Sequence, residues 1–95
     1  MSYRVRLTPA AEKDLDRLPG KIREQAARQL RALADDPRPP KFKPLIEKEL
    51  KGSCRVHVGR DYCIGYRIDD ATREVFVWLI GHRATFYDVA KRRQQ

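Results

Sequence analysis

The chain is poor in the residues that build metal centres, disulfide frameworks and membrane spans. It has two cysteines, Cys54 and Cys63, with no CxxC pair, and two histidines, His57 and His82. A Cys2His2 set exists in arithmetic but not at a spacing that zinc sites use, so core or strand-face thiols are the plainer reading. Acidic residues form no metal-like cluster, and neither a metal nor a cofactor is expected. No apolar run approaches the roughly 20 residues of a membrane span, so no membrane partner is expected either. The N-terminal MSYRVRL has neither the apolar core nor the small-residue cleavage site of a signal peptide, which makes the cytoplasm the expected location. Also missing are a G-x-x-x-x-G-K-S/T loop, an H-E-x-x-H pair and a nucleophile elbow.

What is present is basic charge. The 95 residues form one expected domain, 1–95, of which 41% is hydrophobic and 36% charged, as in a folded soluble chain. Lys and Arg number 21 against 13 Asp and Glu, a net charge of +8 that favours polyanionic partners. Residues 1–47 carry 11 basic and 7 acidic groups, and residues 48–95 carry 10 and 6, so charge indicates a class of partner without locating a site.

Periodicity predicts the elements. In SYRVRL, Tyr3, Val5 and Leu7 alternate with Arg4 and Arg6, as in a half-buried strand. TPAAEKDLDRL opens a helix with Thr8 as cap and Pro9 in the first helical position, and Ala11, Leu15 and Leu18 share a face. Pro19-Gly20 breaks it. KIREQAARQLRALADD predicts a second helix with Ile22, Ala26, Leu30 and Leu33 on one stripe, ending before Pro37. Residues 37–53 sustain neither period and read as a loop. CRVHV (54–58), YCIGYRI (62–68) and EVFVWLI (74–80) predict three meander strands. The last is apolar on both faces, as a covered central strand would be, with Trp78 in the core. DVAKRRQQ adds a short helical turn or frays, and its KRR (91–93) reads as solvated or as a contact for phosphate or a partner. The expected fold is α+β, a helix hairpin packed on an antiparallel sheet in the order β-α-α-β-β-β with a possible short C-terminal helix.

The two-residue period also groups functional candidates. Arg55 and His57 share one face of their strand, within roughly 7 Å of each other. Cys63, Gly65 and Arg67 share one face of the next. If those faces coincide, all five lie on one surface, with Gly65 a flat spot where a ligand backbone could approach. Arg83 and Tyr87 follow the last strand at a rim that pattern does not locate. Such residues suit phosphoryl transfer in which RNA supplies its own nucleophile. A base takes the 2′-OH proton, arginines offset charge on the phosphate oxygens, and an acid protonates the leaving 5′-oxygen. DNA lacks the 2′-OH. His57 is the natural base, since histidine ordinarily titrates at about 6.5. Arg55 and Arg83 would hold phosphate, and Tyr87 would stack on a base or orient phosphate. Each position also has a plainer reading: Arg55 and His57 on a solvated sheet face, Tyr87 in the core. For His82 the plainer reading is favoured, fixing the turn after Gly81 through a backbone hydrogen bond.

Taken in order, YRVRLTPAAEKDLDRLP, LRALADDPR, KPLIEKELKGSCRVHVGRDYCIGYRID and VFVWLIGHRATFY resemble the RelE/ParE toxin superfamily of type II toxin–antitoxin systems. The resemblance implies a compact α+β fold and an acidic antitoxin partner that wraps the toxin. Operator DNA is then met only through the antitoxin complex. RelE-like members cut mRNA on the ribosome by the metal-free 2′-OH route, whereas ParE-like members inhibit DNA gyrase. Carried over, Arg55 matches a substrate-binding basic position, His57 a nucleophile-activating one, Arg83 the arginine of the GHR segment and Tyr87 the C-terminal tyrosine. One position departs: RelE-like enzymes commonly have arginine where DYCIGY has Cys63. A thiol cannot form a guanidinium's bidentate phosphate pair, a loss of about 1.5–3 kcal/mol unless Arg67 substitutes. The implied function is an endoribonuclease toxin. The alternatives are a gyrase-directed toxin and a weakly active or inactive antitoxin-binding relative.

Overall fold

The computed structural model describes residues 2–94. Strand β1 (Arg4–Leu7) leads through Thr8 into helix α1 (Pro9–Arg17). The Thr8 hydroxyl accepts from the Ala11 N–H at 3.1 Å, satisfying one of the donors that a helix start leaves open. The residue before each proline is pushed out of helical geometry. Leu18 before Pro19 and Asp36 before Pro37 are accordingly extended, which ends α1 and then α2 (Gly20–Asp35). The 37–53 stretch departs from the expected loop. It contains a two-residue strand β2 (Lys43–Pro44) and a 3-10 turn (Lys48–Leu50), both shorter than any period can reveal. Strands β3 (Ser53–Val58), β4 (Tyr62–Asp69) and β5 (Glu74–His82) follow, and helix α3 (Phe86–Arg93) closes the chain. Gln95 of the expected tail lies outside the described residues.

The sheet order is β1-β5-β4-β3-β2. β2 to β5 pair antiparallel, as expected of the meander, while β1 pairs parallel with β5. On one face, α1 and α2 bring Ala11, Leu18, Ala26, Leu30 and Leu33 onto Val56, Val58, Ile64, Tyr66, Val75, Val77 and Ile80. Each large apolar side chain buried there contributes about 1.5–3 kcal/mol. The buried Tyr66 hydroxyl donates to the Pro37 carbonyl at 2.7 Å, which ties the chain after α2 to the sheet.

The other face is covered too. Leu45, Leu50, Cys63, Trp78, Leu79, Phe86 and Ala90 form a second cluster beneath α3 and the 45–50 segment. A β-bulge explains how one strand serves both cores. Gly65 pairs with Leu79 but Tyr66 with Val77, so Trp78 is the extra residue on β5. Val77 and Ile80 can then face α1 and α2 while Trp78 and Leu79 both face α3.

Past Val77, β5 has no β1 partner, and side chains take over. Asp14 of α1 accepts from the Ile80 N–H at 3.0 Å. It also pairs with both terminal nitrogens of Arg93 in α3, at 2.7 and 3.0 Å, and Arg93 donates to the Trp78 carbonyl at 2.9 Å. The expected solvated KRR is therefore corrected at Arg93, which a folded sheet edge recruits as a staple.

An exposed cluster behaves differently. Asp70 accepts from the Tyr3 hydroxyl at 2.7 Å and from both terminal nitrogens of Arg38 at 3.2 and 2.9 Å. These hydrogen bonds, from Arg38 first, hold its carboxyl down to about 2 from 3.8. A depressed carboxylate stabilises the fold above its unfolded pKa and loses that contribution as pH falls through the folded one. The stability difference between wild type and Asp70→Asn should therefore be small, present at neutral pH, and gone as pH falls from about 3.8 to about 2. Chemical unfolding across that range checks this, and a difference that persists at the acid end would contradict it. Among the described residues no helix is long and apolar enough to cross a membrane.

Candidate functional site

β3 and β4 pair with Ser53 opposite Arg67, Arg55 opposite Gly65 and His57 opposite Cys63. The two odd-numbered faces therefore coincide, which alternation alone leaves open. They form the floor under α3. The turn after β5 and the first turn of α3 supply a wall, and the resulting cleft of about 460 Å³ is lined by Arg55, His57, Cys63, Arg83, Ala84, Phe86 and Tyr87. All four expected site residues, Arg55, His57, Arg83 and Tyr87, thus line one concavity.

Three of them are bonded to one another. Arg55 Nε donates to the Tyr87 hydroxyl at 3.0 Å, and Arg55 Nη1 lies 2.9 Å from His57 Nε2. His57 Nδ1 in turn lies 3.6 Å from Cys63 Sγ. His57 is exposed, Arg55 and Tyr87 are half-buried, and Cys63 is 2% exposed. Burial pushes the Cys63 thiol up, while the Arg55 and Arg83 charges pull the other way. A protonated thiol is no ligand for phosphate.

Arg83 is held from a direction that the sequence did not suggest. β4 and β5 pair Tyr62 with His82, which brings the 59–61 turn beside the end of β5. The Arg83 N–H donates to the Asp61 carbonyl at 2.7 Å, and its Nε is 3.7 Å from Asp61 Oδ1. With side chains 60% and 49% exposed, this pair is weak, so the guanidinium stays available to an anion. Only the strand register reveals Asp61.

Two expectations for this face are corrected. Gly65 is buried, and a Cβ there would meet Phe86 Cζ at 3.0 Å. Its missing side chain admits Phe86 and brings α3 down on the sheet, leaving no flat spot for a ligand. Arg67 does not line the cleft. It lies opposite Ser53, with its Nη2 3.2 Å from where a Gly52 Cβ would stand, and so does not replace the arginine absent at 63.

His82 has the structural role that was favoured for it: its Nδ1 accepts from the Ala84 N–H at 3.0 Å, and its ring meets Tyr62 edge-on at 5.3 Å. Trp78 is core, at 7% exposed. Tyr87 serves both core and site, packing in part on the second cluster with its hydroxyl on Arg55. Among the described residues no three His, Cys, Asp or Glu side chains converge as a metal-holding group.

The family described as ParE toxin of type II toxin-antitoxin system, parDE, matches residues 5–87. Toxin RelG of Mycobacterium tuberculosis (strain ATCC 25618 / H37Rv) is 39% identical over 89 residues, spanning 92% of this chain and 98% of the relative. Among solved structures, the toxin–antitoxin complex RelBE2 of the same species includes a chain that is 32% identical. It covers 87% of this chain and 100% of that one, at a TM-score of 0.77. A mutant of E. coli toxin RelE in the free state shares the fold at a TM-score of 0.75, with 24% identity and 98% of each chain covered.

Proposed function

Because this chain belongs to the RelE/ParE toxin superfamily of type II toxin–antitoxin systems, we propose that it is an endoribonuclease toxin that cuts mRNA on the ribosome. The reading rests on one observation above all: Arg55, His57, Arg83 and Tyr87, drawn from a strand, a turn and a helix, line one cleft. His57 Nε2 takes the proton from a ribose 2′-OH. The 2′-oxygen bonds to phosphorus, and the bond from phosphorus to the 5′-oxygen breaks. Arg55 and Arg83 offset the charge growing on the phosphate oxygens, and Tyr87 orients Arg55. The leaving 5′-oxygen takes up a proton as the bond breaks; the resemblance associates Arg83 either with that protonation or with stabilising the transition state. The products are a 2′,3′-cyclic phosphate end and a 5′-hydroxyl end, and no step calls on a metal.

The antitoxin in this reading is an acidic protein, matched to the net charge of +8, and the RelBE2 relative is itself a toxin–antitoxin complex. Ribosomes place the action in the cytoplasm, and operator DNA is reached only through the antitoxin complex. Mapping transcript ends after brief induction without antitoxin tests the assignment. Cuts within translated frames, lost in Arg83→Ala, are the expected result.

A second reading, a gyrase-directed toxin, is favoured by one feature: buried Cys63 offers phosphate nothing where arginine would. Intact transcripts in cells that stop dividing with damaged DNA would decide for it.

A further inference from the structure

The contacts of His57 carry one more step, which rests on the nuclease reading for its catalytic consequence. A guanidinium has N–H donors and no acceptor. The 2.9 Å contact of Arg55 Nη1 with His57 Nε2 therefore requires a lone pair on Nε2. A neutral imidazole has one N–H, which must then sit on Nδ1. That nitrogen lies 3.6 Å from Cys63 Sγ, within reach of an N–H donating to sulfur. The converse fails. A thiol donating to Nδ1 would move the ring proton to Nε2 and set two donors face to face at 2.9 Å. Only one arrangement satisfies both contacts.

We propose that Cys63 is a positioning residue: its sulfur accepts the Nδ1 proton of His57 and holds the imidazole in the tautomer whose Nε2 can take the 2′-OH proton. The two residues face each other across β3 and β4, and Cys63 is packed at 2% exposure. The acceptor is thus fixed while the base it orients stays exposed. When Nε2 gains its proton, the Nδ1–H···S contact need not change, so the ring does not turn during the transfer. Arg55, by contrast, must leave Nε2, and a bound phosphate draws it away. An arginine at position 63 could only donate to Nδ1 and would impose the opposite tautomer. Cysteine and histidine are a matched pair in this chain.

Long-range proton–nitrogen NMR of the purified full chain, at alkaline pH, distinguishes the two ring nitrogens. Wild type should show the proton of His57 on Nδ1. In an Arg55→Ala background, where no guanidinium claims the Nε2 lone pair, Cys63→Ser, whose hydroxyl oxygen still accepts, should keep it there, and Cys63→Ala should release it to Nε2. On programmed ribosomes, Cys63→Ala should lower kcat by about ten- to a hundred-fold with KM unchanged, and Cys63→Ser should recover most of the loss. A wild-type His57 protonated on Nε2 would overturn the proposal, as would an Nδ1 proton that survives Cys63→Ala once Arg55 is removed. If the double variant fails to fold, Arg55→Ala alone still tests it: loss of the Nδ1 proton on removing Arg55 would show that Cys63 does not hold the tautomer. The expected tautomer in a protein that cuts no mRNA would overturn the nuclease reading and leave the positioning by Cys63 standing.

Discussion

Replacing His57 by alanine should lower the single-turnover rate of mRNA cutting on programmed ribosomes by about 10²–10⁴-fold, the usual contribution of a positioned general base. The loss should fall on the chemical step. Alanine removes the imidazole lone pair that would take the hydroxyl proton, and the other polar side chains lining the cleft are guanidinium donors, a phenol already bonded to Arg55 and a buried thiol. Arg55 keeps its bond to Tyr87 at 3.0 Å, so phosphate binding should change little. Stability should change by less than about 0.5 kcal/mol, because His57 is an exposed strand residue. Cutting at the wild-type rate by a folded His57→Ala protein would remove the base assignment. Loss of cutting together with loss of thermal stability would instead mean that the ring holds the sheet together.

Asp14→Ala should be strongly destabilising although Asp14 lies outside both the cleft and the apolar core. Its carboxylate is 10% exposed, and the Arg93 side chain it holds is 28% exposed. Truncation leaves Arg93 without its anion and the Ile80 N–H without an acceptor, at the sheet edge where β1 has ended. Breaking a well-buried pair costs about 3–5 kcal/mol, and the partial exposure of Arg93 puts this one near the lower end, about 3 kcal/mol. For a domain of this size that lowers Tm by about 12–24 °C. Asp14→Asn, which keeps an acceptor for Ile80, should lose less. Thermal and urea unfolding of the two variants test this, and a loss below about 1 kcal/mol in Asp14→Ala would show the staple to be incidental. The effect should reach the cleft. Arg93 is the last residue of α3 and Tyr87 lies in its first turn, so a loosened α3 also weakens the hold on Arg55.

The sequence on its own determined whatever depends on near neighbours in the chain. Thr8 and Pro9 start α1, Pro19 and Pro37 end helices, and alternation puts Arg55 with His57 on one face of β3 and Cys63 with Arg67 on one face of β4. These are consequences of local sterics and of a two-residue period, so they were legible in the chain alone. The tertiary structure alone decided which strand receives β1, because a four-residue strand carries no mark of its partner. It alone decided that β5 bulges at Trp78, since a run apolar on both faces hides a change of phase. It likewise assigned Gly65 to Phe86, Arg93 to Asp14 and Asp61 to Arg83, contacts between residues 21, 79 and 22 positions apart. Such pairings depend on how elements pack, and packing is a property of the whole domain. For the same reason Cys63 reads in sequence as a missing arginine, and in the fold as the neighbour that sets the proton on His57.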